Sequence, residues 1–245
     1  NENQNLEPIV KQHPEIMFVL LDKKGAFTQP NFWPVHVQSN EGAFEAGYLA
    51  ALMSKTKQLG FIGGVSSGTI DRFKYGYLAG AAYAGKERQR KVKVQVRMAE
   101  TYMDQAVGEQ LARSLYAGGC DIIFTAAGET GLGAIAEAAR QHKYIIGVDV
   151  DQQGLAPENI LCSALSSYEV LIRDITNTYL KREKLHFLVS TGLAVGATGL
   201  AMNERLVPYS VSQEIRRVEE LVKSGLQVPD SEESYQLFLT NLAQN

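Results

Sequence analysis

The chain has 245 residues, 45% of them hydrophobic and 21% charged, which is ordinary for a globular protein able to bury a sizeable core. Its formal net charge of −3 argues against a dedicated nucleic-acid surface, since such domains are usually clearly basic. No apolar run approaches the ~18 residues of a membrane span, and Asn1 to Asn5 lack the basic start and apolar stretch of a secretory leader. Two cysteines, Cys120 and Cys162, make no disulfide framework and read as small buried hydrophobes.

Leu6 to His13 carries helical spacing in Leu6, Ile9 and Val10 and stops before Pro14. Glu15 to Leu21 follows as an apolar, fully buried strand ending at Asp22, and Val35 to Gln38 as a short second strand. An opening on the tail of a helix and a buried strand reads as a start in mid-fold. Glu41 to Ser54 is a helix with Phe44, Tyr48, Ala51 and Leu52 on one face. Gly47 in its middle costs roughly 1 kcal/mol against alanine, so close packing on a neighbour is its expected reason. Leu59 to Val65 is a strand and Gly63-Gly64 turn. It leads to a helix from about Thr69 to Ala84, with Phe73, Tyr77 and Ala81 in one stripe. The six basic residues from Lys86 to Arg97 read as a solvated turn entering a strand through Val92, Val94 and Val96.

Asp104 to Ala117 is the next helix. Asp121 to Thr125 is an apolar strand, Leu132 to His142 a helix, and Tyr144 to Gln152 an apolar run that ends in two carboxylates. This βαβ unit points both strand ends toward the crevice where open α/β sheets bind ligands. Asp149, at the strand end, is expected to face a ligand. Asp151 sits nearer the turn at Gln153-Gly154 and suits a capping role equally well. Ile160 to Leu165 is a strand, Tyr168 to Lys184 a helix, Phe187 to Val189 a strand, and Gly192 to Gly199 a glycine-rich connection. Ser210 to Gln213 has capping-box spacing and opens a helix that closes at Gly225. The tail after Pro229 is polar and at first acidic. The alternation predicts an α/β fold of doubly wound parallel sheets, with too many strands for one sheet and hence two lobes.

Gly128-Glu129-Thr130-Gly131-Leu132-Gly133 follows a strand and opens a helix, the setting of a phosphate cradle. Its spacing is GxxGxG, not the GxGxxG of dinucleotide folds, and no Walker lysine follows. Backbone contacts to a neutral polar ligand, or a tight structural turn, fit it better. His13, His36, His142 and His186 lack metal-ligand spacing, and no nucleophile elbow is present. The residues therefore point to binding without catalysis, cofactor or metal.

Glu41-Gly-Ala-Phe-Glu-Ala-Gly-Tyr through Thr56, Leu59-Gly-Phe-Ile-Gly-Gly, Phe73-x-x-Gly-Tyr-x-x-Gly, Ala127-Gly-x-Thr-Gly-x-Gly and Gly147-Val-Asp-Val-Asp-Gln together resemble the basic membrane protein family. These are the purine-nucleoside-receptor-like substrate-binding proteins of bacterial ABC importers. The motifs run in order through nearly the whole chain. The resemblance implies a type I periplasmic-binding-protein fold, two α/β lobes joined by crossovers and closing on the ligand. It implies a purine nucleoside or related small molecule as ligand, a transporter permease as partner, and a periplasmic or extracytoplasmic place with a membrane anchor in the precursor.

Carried onto this chain, Asp149 would accept from ribose hydroxyls, Ala127 and Gly128 would form the ligand-facing turn, and Phe73 is a weaker aromatic candidate. Asp22 ends the first strand as a further carboxylate. Ser166 stands where the family carries a lysine, so one charged contact is missing. The family's opening segment is absent too, leaving the first lobe incomplete. On this reading residues 1–56 and 186–245 form the rest of the first lobe with its crossovers, and 57–185 form the second. The chain is then a fragment, or is completed by another chain, or has abandoned the family's pocket. The rival functions are a ligand-sensing or regulatory module acting through a protein partner and, on the Gly128 to Gly133 turn alone, a nucleotide-using enzyme.

Overall fold

The computed structural model describes residues 6–22, 27–181 and 191–244. The expected strand Phe187 to Val189 and the end of the helix expected to reach Lys184 lie outside the described residues. The chain divides into two compact units, residues 1–37 and 38–245.

In the first unit, α1 (Leu6–Gln12) is followed by β1 (Phe18–Leu21) and β2 (Phe32–Val35), which pair in parallel with Phe18 opposite Phe32. β1 is not the fully buried strand the sequence suggested. Among the described residues it has one sheet neighbour, and Val19 is 37% exposed. β2 starts three residues earlier than expected and carries Pro34, which is tolerated because among the described residues β2 pairs with β1 alone. The Asn31 amide donates toward the carbonyls of Val10, His13 and Ile16 at 2.9–3.0 Å, supplying partners at the end of α1.

The second unit is built on β3 (Gln58–Gly63), β4 (Lys93–Met98), β5 (Ile122–Ala126), β6 (Tyr144–Asp149), β7 (Ile160–Ser166) and β8 (Thr198–Met202). Their order in the sheet is β4-β3-β5-β6-β7-β8. Every neighbouring pair is parallel except β7 and β8, which run antiparallel with Cys162 opposite Met202. β8 is a correction: Thr198 and Gly199, expected to end a connection, open a strand. Gly199 at φ +152° hides the strand from any residue-preference argument.

Side-chain alternation along the strands divides the core in two. Leu59, Phe61, Ile122, Phe124, Ile146 and Val148 face a cluster completed by α2 (Ser39–Met53), α3 (Gly68–Glu87) and α7 (Tyr209–Lys223). Ile62, Ile123 and Ile145 face the opposite cluster, with α4 (Gln105–Ala117) and α5 (Glu129–Arg140). The near-continuous apolar strands are thus explained by cover on both faces. Cys120 and Cys162 are free and buried in these clusters, as their small apolar character predicted.

α2 and α3 meet backbone to backbone. A β-carbon on Gly47 would overlap the Tyr77 carbonyl, and one on Gly80 the Phe44 carbonyl. On the other face, the Glu137 carboxylate is held between Arg113 at 3.0 Å and Arg140 at 2.8 Å, tying α5 to α4.

α6 (Tyr168–Leu180) follows β7. α7 begins at Tyr209 behind Pro208, with no side-chain cap, so Ser210 lies inside the helix and the expected capping box does not form. Pro208 instead offers its carbonyl to the amides of Val211 and Ser212 at 2.9 and 3.1 Å. The polar tail is a helix as well, α8 (Glu232–Gln244), anchored by Tyr235 on Tyr75 and Phe238 on Phe44 at ring distances of 5.8 and 6.2 Å.

Candidate functional site

The register Gly63–Ala126, Phe124–Ile146 and Asp149–Leu165 brings the C-terminal ends of β3, β5, β6 and β7 to one edge of the sheet. From β3 the chain moves outward to β4, then returns to β5 on β3's other side and continues the opposite way. The strand order therefore reverses between β3 and β5, and open α/β sheets form their ligand crevices at such points.

The two loops of this crevice are joined by an aromatic residue. Gly64 donates its amide to the Ala126 carbonyl at 3.0 Å. Tyr102, from the connection between β4 and α4, lays its ring over Gly64, where a β-carbon would overlap it, and donates its hydroxyl to the Val65 carbonyl at 3.1 Å. Its own carbonyl accepts from the Thr130 amide at the start of α5, 3.1 Å away. The ring is fixed, yet Tyr102 remains 37% exposed, beside Met103 at 72%.

Ala127 is buried, and Gly128 is exposed at φ +57° and ψ −135°, a conformation open to glycine alone. The rest of the glycine-rich turn serves helix packing. A β-carbon on Gly133 would overlap the Gln105 carbonyl, one on Gly108 the Thr130 carbonyl, and the Gly131 amide already donates to Gly128 at 3.0 Å. Gly133 is thus an α4–α5 contact, and a β-carbon on Gly131 would meet the Thr125 side chain of β5.

In Gly147-Val148-Asp149-Val150-Asp151-Gln152 every residue has a separate task. The Gln152 side chain folds back over Gly147 and accepts from the Val148 amide at 2.9 Å, while its backbone amide donates to the Ser163 hydroxyl at 3.0 Å. Val148 is buried. The Val150 amide donates to the Val148 carbonyl at 2.8 Å, closing a three-residue turn centred on Asp149. Asp149 is exposed and held at φ +67°. Asp151 is a turn cap: its carboxylate accepts from the Gln153 amide at 3.0 Å.

Ser166, the last residue of β7, lies at the same edge, one position past Asp149's partner Leu165, and is 8% exposed. Phe73 sits in the aromatic core, edge-on to Phe124 at 6.0 Å and 3% exposed. Asp22 belongs to the first unit. Its amide donates to Val35 at 2.7 Å, its carboxylate accepts from the Val37 amide at 3.4 Å, and its φ is +61°. The sheet edge thus gathers Ala127, Gly128, Asp149 and Ser166. Tyr102 is the residue the sequence reading missed, although an aromatic two places before the helix-capping Asp104 was its available signal. Among the described residues no cluster of three or more His, Cys, Asp or Glu is placed to hold a metal ion, and no helix is long and apolar enough to cross a membrane.

Residues 3–232 match the family model described as ABC transporter substrate-binding protein PnrA-like. The chain belongs to this basic membrane protein family. It is 36% identical over 237 residues to basic membrane protein A1 of Borrelia garinii subsp. bavariensis, covering 93% of this chain and 68% of that protein. Its fold is that of type I periplasmic binding proteins. A solute-binding protein of an ABC transporter system from Aeropyrum pernix K1 superposes with a TM-score of 0.80 at 20% identity, covering 99% of this chain and 79% of that one. A transcriptional activator of the comK gene from Bacillus halodurans gives 0.81 at 20% identity, covering 93% and 77%. One fold therefore accompanies both transport and regulatory names.

Proposed function

We propose that the chain binds a nucleoside or similar small polar ligand at the β3–β5–β6 edge, without catalysis, as the extracytoplasmic substrate-binding component of an ABC importer. The observation that carries this reading is Asp149. An exposed carboxylate is held at φ +67° at the ligand edge of a parallel sheet, and backbone strain of this kind clusters at ligand sites. Its oxygens suit paired sugar hydroxyls, while the fixed and half-open ring of Tyr102 suits a planar base. Ala127 and Gly128 would approach the ligand through their backbone, and Ser166 would add a hydroxyl. Phe73 would support this edge from within the core rather than touch the ligand. In this reading Asp22 belongs to the first lobe, with residues 1–56 and 186–245, and the partner that takes the ligand is a permease.

A thermal-shift series with purine nucleosides, the free bases and ribose tests the reading, since a ligand of the native state raises the melting temperature with its concentration. Nucleosides are expected to shift it most, because only they use both Tyr102 and Asp149. A shift by ribose alone would make the ligand a sugar. No shift by any of them would favour the second reading, a ligand-sensing or regulatory module acting through a protein partner, which Ser166 supports by leaving the site without the family's cation.

A further inference from the structure

Behind the sheet, on the far side of α3, lies a second candidate site. α3 ends in a tight reversal: Gln89 takes φ +51° and the Arg90 amide donates to the Gly85 carbonyl at 2.7 Å. The reversal holds Lys86, Arg90 and Lys91 on the surface. Arg88 is committed to Glu214 at 3.0 Å, but no ion pair with Lys86, Arg90 or Lys91 occurs among the described residues.

These three cations border a trough of about 690 Å³ between the end of α3 and α8, and among the described residues no carboxylate lines it. Its apolar wall is Ala82, Val92, Leu239 and Leu242. Tyr235 and Phe238 fix α8 against α3 and α2, so this wall is built rather than incidental. The nearest carboxylate on α3, Glu87, is engaged by Tyr48 at 2.6 Å and Arg217 at 2.8 Å. A basic residue in the last turn of a helix complements its dipole, which accounts for Lys86. It does not account for Arg90 and Lys91 beyond the helix, nor for leucines beside them.

We propose that this trough binds a single-chain anionic amphiphile, its carboxylate or phosphate on Lys86, Arg90 and Lys91 and its hydrocarbon along Val92, Leu239 and Leu242. The volume lies within the ~300–1,000 Å³ usual for small-ligand sites. An acidic peptide is the poorer occupant, because beyond the three cations the lining offers it the hydrocarbon of Val92, Leu239 and Leu242 in place of further positive charge. The segment matching the family model stops at residue 232, where α8 begins, so the α8 wall lies outside the matched segment.

The test is calorimetric titration of the full chain with sodium laurate and lauroyl lysophosphatidate below their micellar concentrations, with dodecyltrimethylammonium as control. Sedimentation with phosphatidylglycerol and phosphatidylcholine vesicles runs beside it. One-to-one binding of the anions is expected, weakened about tenfold or more by combined Lys86→Gln, Arg90→Gln and Lys91→Gln, and likewise by Leu242→Gln. The three cations are exposed and Leu242 is half-buried, and unchanged circular dichroism verifies that the variants fold. Monomer binding without sedimentation identifies a free molecule as the source, and both together a lipid presented by a bilayer. The proposal is overturned if the anions do not bind, if the cation binds as well, if either variant set has no effect, or if only vesicles bind. Binding of an acidic peptide in place of the amphiphiles overturns it too.

Discussion

The ring of Tyr102 lies across the α-carbon of Gly64, where no β-carbon fits, and its hydroxyl donates to the Val65 carbonyl. The loop after β4 is thereby locked to the loop after β3. Tyr102→Ala is expected to weaken nucleoside binding by about 1–3 kcal/mol, the usual worth of a base stacked on an aromatic ring, while Tyr102→Phe stays close to the parent. Gly64→Ala displaces the ring and should mimic Tyr102→Ala. Calorimetry that finds all three equal to the parent would remove Tyr102 from the site.

Asp149 separates stability from binding. Asp149→Ala should cost roughly 1.5–3 kcal/mol of nucleoside affinity, the worth of hydrogen bonds to a charged group. Asp149→Gly should lose the same affinity while the folded state is as stable or more so, because glycine adopts φ +67° without strain. Paired denaturation and titration of the two variants decide it, and a Gly variant less stable than the Ala variant contradicts the strain.

Gly47 and Gly80 set the spacing of α2 and α3. Either Gly→Ala change forces a methyl group into a carbonyl of the facing helix. A loss of about 1–3 kcal/mol is expected in urea unfolding, although alanine is the better helix former. A gain in stability at either position would mean that the helices can part without cost.

Glu45 is 2% exposed. Burial pushes its carboxyl well above the usual carboxylate range, helped by Glu219 and Glu41 and opposed by Lys223. The folded state thus holds a proton that the unfolded chain releases, so stability falls as pH rises from the ordinary carboxylate range toward the folded value, by at most about 1.4 kcal/mol per pH unit. Glu45→Gln should remove that slope and be more stable than the parent at neutral pH. Parallel stability profiles for the two proteins would contradict it.

Asp121 has the opposite sign. Burial raises its carboxyl, but the Ser54 hydroxyl at 2.7 Å and the Thr56 and Lys55 amides at 3.0 and 2.7 Å outweigh that and hold it below the usual range. Its contribution is full above the unfolded-chain value and lost as pH falls through the lower folded value. Asp121→Asn should therefore be less stable than the parent at neutral pH and lose less on acidification. Equal losses would show these hydrogen bonds to be without weight.

Most elements were legible because a buried strand and an amphipathic helix each write a period into the chain. Ile122 to Phe124 and Tyr144 to Val148 are runs without a charged or hydroxyl-bearing aliphatic residue, as a strand covered on both faces requires. Gly47 announced a close contact, and the structure supplies it. β8 and α8 were not legible. Gly199 breaks the pattern of the first, and the second opens with Glu232 and Glu233 and shows its apolar side only against Tyr75 and Phe44.

The family, the α/β class and the place of Asp149 at a strand end follow from the sequence alone, since motif order and local periodicity are properties of the chain as written. Tertiary structure decided three further things. It spent Gly133 of the GxxGxG turn on the contact between α4 and α5, took Phe73 into the core, and brought Tyr102 to the sheet edge. Each depends on which backbone lies within a few ångströms of which side chain, and spacing along a chain does not encode distance across a fold.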